Sequence, residues 1–176
     1  MGGWGDSQEA MTALGSALKA SATVTDLNIS KNDLKAQYIA GFTEHLKDMG
    51  SLSSLSLANN NLGSAEGAKA IGDMLSQNTT LKSLDLSANF ITFGSALPEK
   101  KDRPKIFVLQ LAAGLQDSGS LSKLELSGNK LVPFRQDIDG QEELDGRHVG
   151  VVYLSLALKS TSITELNLSS SNLDAE

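Results

Sequence analysis

Five short stretches of the chain fit one template: an apolar residue, two free positions, apolar, one free, apolar, two free, asparagine, one free, apolar. They are VTDLNISKNDL from Val24, LSSLSLANNNL from Leu52, LKSLDLSANFI from Leu81, LSKLELSGNKL from Leu121 and ITELNLSSSNL from Ile163. A unit this short cannot bury its apolar face alone, so it must stack on copies of itself. The steps between copies are 28, 29, 40 and 42 residues. The fifth copy departs from the template: Ser171 holds the asparagine position, with Asn172 one place late.

Within one copy the physics is legible. Leu84 and Leu86 alternate with Ser83, Asp85 and Ser87, which predicts a short strand with one buried face. Asn89 stands where the chain leaves that strand. Its amide carries both donors and an acceptor, so stacked asparagines can satisfy turn groups that no strand partner reaches. Asn32, Asn60, Asn89 and Asn129 are expected to form such a structural ladder, fraying at Ser171. Between strands the apolar spacing turns helical, with Ala68, Ile71 and Leu75 on one face. Met11, Leu14 and Leu18 repeat it, as do Ile39, Phe42 and Leu46. VLQLAAGLQDSG and HVGVVYLSLALKS complete the set. The chain is expected to start in a helix near Asp6 and finish in a strand near Ser169. Helix–strand alternation of this kind gives parallel strands joined by right-handed crossovers.

The template resembles the leucine-rich repeat. The 28–29-residue period and a helix-length interval such as GSAEGAKAIGDMLSQNTT are similar to the ribonuclease-inhibitor-like subclass. The resemblance implies an α/β fold. It would be a curved right-handed solenoid, with parallel strands on the concave face and helices on the convex face. Residues 1–176 then form a single domain of about five helix–strand units. It also implies a non-enzymatic role in protein–protein recognition or scaffolding. Two alternatives come with it: a GTPase-regulating domain like the Ran GTPase-activating protein, with Arg103 as a finger residue, and an actin-regulatory domain of the tropomodulin or CARMIL kind.

Composition narrows the field. A formal charge of -6 argues against nucleic-acid binding, which needs a basic footprint. No apolar run reaches the length of a membrane span. MGGWGDSQEAM lacks the features of a signal peptide. Zero cysteines leave no disulfide and no thiolate metal site. The expectation is a cytoplasmic protein. Asn-x-Ser/Thr triplets at Asn28, Asn78 and Asn167 would matter only in a secreted one. DIDGQEELD misses the calcium-loop spacing: with Gly140 at the turn, Arg135 and Gly146 fall on ligand positions. His45 and His148 have no metal-ligand partner at helical spacing. No catalytic residue, metal or cofactor is expected.

Two surfaces remain as candidates for binding another protein. Residues alternating with the buried leucines form columns on the concave face. One is Asp26, Ser54, Ser83, Lys123 and Glu165; the next is Asn28, Ser56, Asp85, Glu125 and Asn167; the third is Ser30, Ala58, Ser87, Ser127 and Ser169. This face is polar and mildly acidic, which favours a basic partner. The second surface is one rim, where insertions near 95–105 and 133–147 account for the long steps. All three prolines lie there: Pro98, Pro104 and Pro133. The first insert carries Lys100, Lys101, Arg103 and Lys105 against Glu99 and Asp102. The second is acidic, so the two could pair with each other. Phe90 breaks a column that is otherwise polar (Asp33, Asn61, Lys130 and Asn172). Phe93 and Phe134 stand beside it at the mouths of the inserts. Either the three rings form a small core under the loops, or they anchor a partner. The ends lack capping units, and an open last strand is an edge that could pair with another copy.

The repeats alone are expected to hold the fold. Deleting Ala96–Lys105 should leave the melting temperature within a few degrees, since surface loops are cheap to shorten. Leu84→Ala should cost about 2–5 kcal/mol through the cavity it opens. Thermal and urea denaturation of both variants tests this, and a loop deletion that unfolds the chain would overturn it.

Overall fold

The recurring apolar spacing closes into strictly alternating helices and strands. A computed structural model describes residues 8–91, 106–129, 131, 149–171 and 173. The order is α1 (Gln8–Lys19), β1 (Asp26–Asn28), α2 (Ala36–Leu46), β2 (Ser54–Ser56), α3 (Ala65–Gln77), β3 (Ser83–Asp85), α4 (Ile106–Asp117), β4 (Lys123–Glu125), α5 (Val149–Leu158) and β5 (Glu165–Asn167). The strands form one parallel five-stranded sheet in sequence order. A helix crosses over between each pair, as parallel neighbours require. The product is a curved α/β solenoid, strands inside the curve and helices outside.

Register follows the template position by position. Leu27, Leu55, Leu84, Leu124 and Leu166 lie in one row across the sheet. The inner three are buried, as are Leu57, Leu86 and Leu126 two residues further on. From the helices Ile39, Phe42, Leu46, Ala68, Ile71, Leu75, Leu111 and Leu115 close the core. Leu14 departs from expectation. Met11 is buried and Leu18 partly so, but Leu14 is exposed. Its counterpart in α2 is Phe42, which the neighbouring repeats enclose; among the described residues no element precedes α1 to cover Leu14.

Helices α3 and α4 approach most closely at glycines. A Cβ on Gly114 would collide with the backbone of Gly72, and one on Gly72 with the carbonyl of Gln110. Absence of a side chain at both positions lets the two backbones touch. Helix α3 is capped by Ser64, whose hydroxyl oxygen accepts from the Gly67 N–H at 3.4 Å. The same hydroxyl donates to Glu66 at 2.6 Å and holds that carboxyl below its usual range.

Buried asparagines tie each repeat to the one before it. Asn60 accepts at Oδ1 from the N–H groups of Asn32 and Leu34, both at 3.0 Å. Its Nδ2 donates to the carbonyls of Ile29 and Leu57. Asn89 accepts from the Asn60 N–H at 3.2 Å and donates to Leu57 and Leu86. Asn129 accepts from Asn89 and Ile91 and donates to Leu86 and Leu126. Among the described residues no strand precedes β1 for Asn32 to reach. Its side chain is exposed and donates only to Ser30 of its own turn. Ser171 is buried and reaches Leu126 O at 3.4 Å and Ser169 O at 3.3 Å. A hydroxyl has one proton for those two acceptors, where an amide nitrogen has two.

Asn78 does a similar service at the other end of the repeat. It is buried, donates to Leu46 O at 2.7 Å and accepts from the N–H groups of Thr80 and Leu81. In the next repeat Ser118 holds the equivalent place, and its buried hydroxyl has no hydrogen-bond partner among the described residues.

The directional ladder makes its members unequal. Asn89→Ala strands the Asn60 N–H in a dry interior, at about 1–3 kcal/mol for a group left unpaired, and leaves Leu57 O and Leu86 O only the amides of Asn60 and Asn129. Asn32→Ala removes one exposed bond and should change stability by less than about 0.5 kcal/mol. Urea denaturation of the two variants side by side checks the contrast; equal losses would sink it.

Candidate functional site

The concave face is built by strands only three residues long, so its chemistry is set by the residues flanking each central leucine. Asp85 and Glu125 are brought together, register partners on β3 and β4. Like charges opposite each other repel, and the neighbours offset it. Ser56 Oγ donates to Asp85 Oδ2 at 3.1 Å, while Ser87 donates to Oδ1 through its hydroxyl at 2.6 Å and its N–H at 2.9 Å. Lys123 lies 3.4 Å from Glu125 and 3.2 Å from Glu165. Those two carboxylates, Glu165 first, hold the Lys123 ammonium above its usual range. A raised lysine loses its stabilising contribution only as pH climbs through its folded-state value, so the bridge stays charged at neutral pH. The column reading sets Lys123 beside Glu165; the structure adds Glu125, two residues along the same strand.

The rim is shaped by a constraint invisible in the template. Lys31, Asn59, Ala88, Gly128 and Ser170 all have left-handed backbones, with φ of 60°, 52°, 51°, 67° and 55°. Each stands one residue before the ladder position, where the chain must reverse off the strand. Only Gly128 does this without steric cost.

Phe90 follows the same turn one residue later, with φ 57°. A left-handed backbone is a true outlier for a bulky side chain. The ring is 66% exposed. Its backbone is pinned: a Cβ on Gly63 of the preceding repeat would collide with the Phe90 carbonyl. The conformation itself belongs to the turn, for Asp33 at the same template position has φ 53° and the N–H that follows each residue reaches the ladder amide; the large apolar ring left exposed on it is what has no packing reason. The core of three rings under the loops, one of the two sequence expectations, needs Phe93 and Phe134 beside Phe90. Phe93, Lys100, Lys101, Arg103 and Phe134 lie outside the described residues, as does the DIDGQEELD stretch. Among the described residues no cluster of three or more His, Cys, Asp or Glu could hold a metal ion. No helix there is long and apolar enough to cross a membrane.

Replacing the ring should relieve the backbone. Phe90→Asn, a residue that tolerates this conformation, is expected to raise stability by about 1 kcal/mol. Urea denaturation measures it, and a loss of about 2 kcal/mol or more would identify the ring as buried support instead.

Comparison with known proteins meets the geometry here. A family model for the Leucine Rich repeat matches residues 77–92, from the end of α3 through β3 to the Phe90 turn. The chain is similar to the tropomodulin C-terminal domain of Caenorhabditis elegans, at 14% identity and a TM-score of 0.62, over 96% of this chain and 86% of that one. It is similar also to the leiomodin-1 actin-binding site 2, at 20% identity and a TM-score of 0.60, over 92% of this chain and 76% of that one. No curated protein sequence matches it. The template read five times in the sequence, the single parallel sheet it builds and the family model over its third copy agree on the fold of a leucine-rich-repeat solenoid.

Proposed function

We propose that this domain is a non-enzymatic protein-recognition module, working through its concave face and the rim marked by Phe90. The observation that carries the reading is Phe90 itself, an exposed aromatic held on strained, pinned backbone. Aromatic anchors supply much of the energy of protein interfaces. Asp85, Glu125 and Glu165 lend the adjoining face a negative cast that suits a basic partner, and the candidate site extends by sequence to Phe93, Lys100, Lys101, Arg103 and Phe134. A helix between every pair of strands supports the ribonuclease-inhibitor-like subclass. The absence of cysteine and the burial of the Asn78 triplet suit a cytoplasmic protein.

A second reading is actin binding. It is supported by the fold shared with leiomodin-1 actin-binding site 2 over nearly the whole chain. At this identity the likeness carries the fold, and the reading adds that the same rim meets actin.

Phe90→Ser tests both. The parent chain should capture a partner from cytoplasmic extract that the variant loses, while the two unfold at the same urea concentration. Equal capture would overturn the rim reading. Cosedimentation of the purified chain with filamentous actin decides the second: pelleting that Phe90→Ser reduces at least about tenfold, the effect of about 1.4 kcal/mol, supports it, and no pelleting removes it.

A further inference from the structure

The turn after the ladder takes two forms in this chain, and they alternate. Asp33, Asn61 and Phe90 share one template position, the residue after the ladder asparagine. Asp33 and Phe90 are left-handed, at φ 53° and 57°, and Asn61 is not. The hydrogen bonds divide in the same way. After Asp33 the Leu34 N–H reaches Asn60 Oδ1 at 3.0 Å, and after Phe90 the Ile91 N–H reaches Asn129 Oδ1 at 3.1 Å. After Asn61 the Leu62 N–H makes no such bond, and among the described residues Asn89 Oδ1 accepts from the Asn60 N–H alone. Asn61 turns to the preceding repeat instead. Its N–H donates to Leu34 O at 2.9 Å, its carbonyl accepts from the Ala36 N–H at 3.2 Å, and it forms a parallel bridge with Lys35.

Lys35 and Gly63 are equivalent in their turn, each following the last apolar residue of its copy. A residue with a full side chain stands beside the bridged turn of Asn61, and a residue with none stands beside the left-handed turn of Phe90. Gly63 is not left-handed, so its own conformation does not call for glycine. A Cβ added there would lie 2.7 Å from the Phe90 carbonyl carbon, 2.9 Å from the Asn89 carbonyl oxygen and closer still to the Phe90 carbonyl oxygen. All three are backbone atoms, which no change of rotamer moves aside.

We propose that Gly63 is the positioning residue for the Phe90 ring: by leaving room for the left-handed turn in the next repeat, it decides which way that ring faces. With a Cβ at 63 the backbone at 90 must leave its present form. The bridge between Asn61 and Lys35 shows a form that a neighbour with a side chain accepts. Changing the sign of φ carries Cβ to another side of the chain, and the ring goes with it. The functional weight of this coupling rests on Phe90 being a recognition anchor; the coupling of the two backbones does not.

Gly63→Ala should move residue 90. Read by NMR on the intact chain, the Cα and Cβ chemical shifts of Phe90 should leave their left-handed values. The Ile91 amide, losing Asn129, should exchange with solvent at least about tenfold faster. Phe90→Val supplies the rescue, because a β-branched residue disfavours the left-handed form. Alone it should unfold at lower urea than the parent, yet added to Gly63→Ala it should raise the unfolding midpoint of that variant. A glycine that merely fills space would show neither the residue 90 shifts nor that reversal. Unchanged shifts in a folded Gly63→Ala chain overturn the proposal. If Gly63→Ala does not fold, the double variant decides, and its failure to fold overturns the proposal as well. These readouts need no partner, so they judge Gly63 separately from the recognition reading.

Discussion

Buried amides couple the repeats more specifically than apolar burial does. A leucine row would tolerate small slips between neighbouring repeats, because dispersion and desolvation have no direction. An asparagine that accepts from two N–H groups of the preceding repeat, as Asn60 and Asn129 do, fixes distance and angle at once. Each asparagine reaches backwards, so the chain of bonds has a sense. Among the described residues it leaves Asn32 without a repeat to reach, and it ends weakly at Ser171, whose hydroxyl covers less than an amide would. In a repeat protein, where each unit touches only its neighbours, such links fix how one unit sits on the next.

That coupling acts on the strand and its exit turn and on nothing further along. Here lies the reason the long steps of 40 and 42 residues are tolerated. The extra residues fall after the ladder position and before the next helix, where neither the leucine row nor the asparagine row imposes a length. Register resumes on the far side: Leu84, Leu124 and Leu166 stay in one row across both insertions. The same division of labour sets the surface. The turn forces a left-handed residue before every ladder position, and Ala88 accepts that cost for the sake of the amide behind it. At Phe90, as at Asp33, the cost is met a second time, and it lets the following N–H reach the same ladder amide; what separates Phe90 from the structural turn is its exposed ring.

Close helix contact and open ends follow from the same stacking. Gly72 and Gly114 allow α3 and α4 to meet backbone to backbone. A row of side chains sealed on both flanks in the middle of an array is uncovered at its last member, as Leu166 and Leu173 show.

The sequence by itself determined the fold class, the strand rows and the interior asparagine ladder. All three depend on residue types recurring at fixed template positions, and a periodic signal survives without coordinates. Asp85 and Glu125 were legible as concave-face residues for the same reason. Only the tertiary structure decided what depends on neighbours distant in the chain. Leu14 has a core residue's spacing, yet it is exposed, and among the described residues nothing stacks outside α1. Asn78 looked like a modification triplet and is a buried cap, because its partners come from the repeat before. Lys123 bridges Glu125 of its own strand and Glu165 because stacking places β5 beside β4. Phe90 stood out in sequence as a break in a polar column. Its exposure and left-handed backbone were settled by a turn whose shape the neighbouring repeats impose.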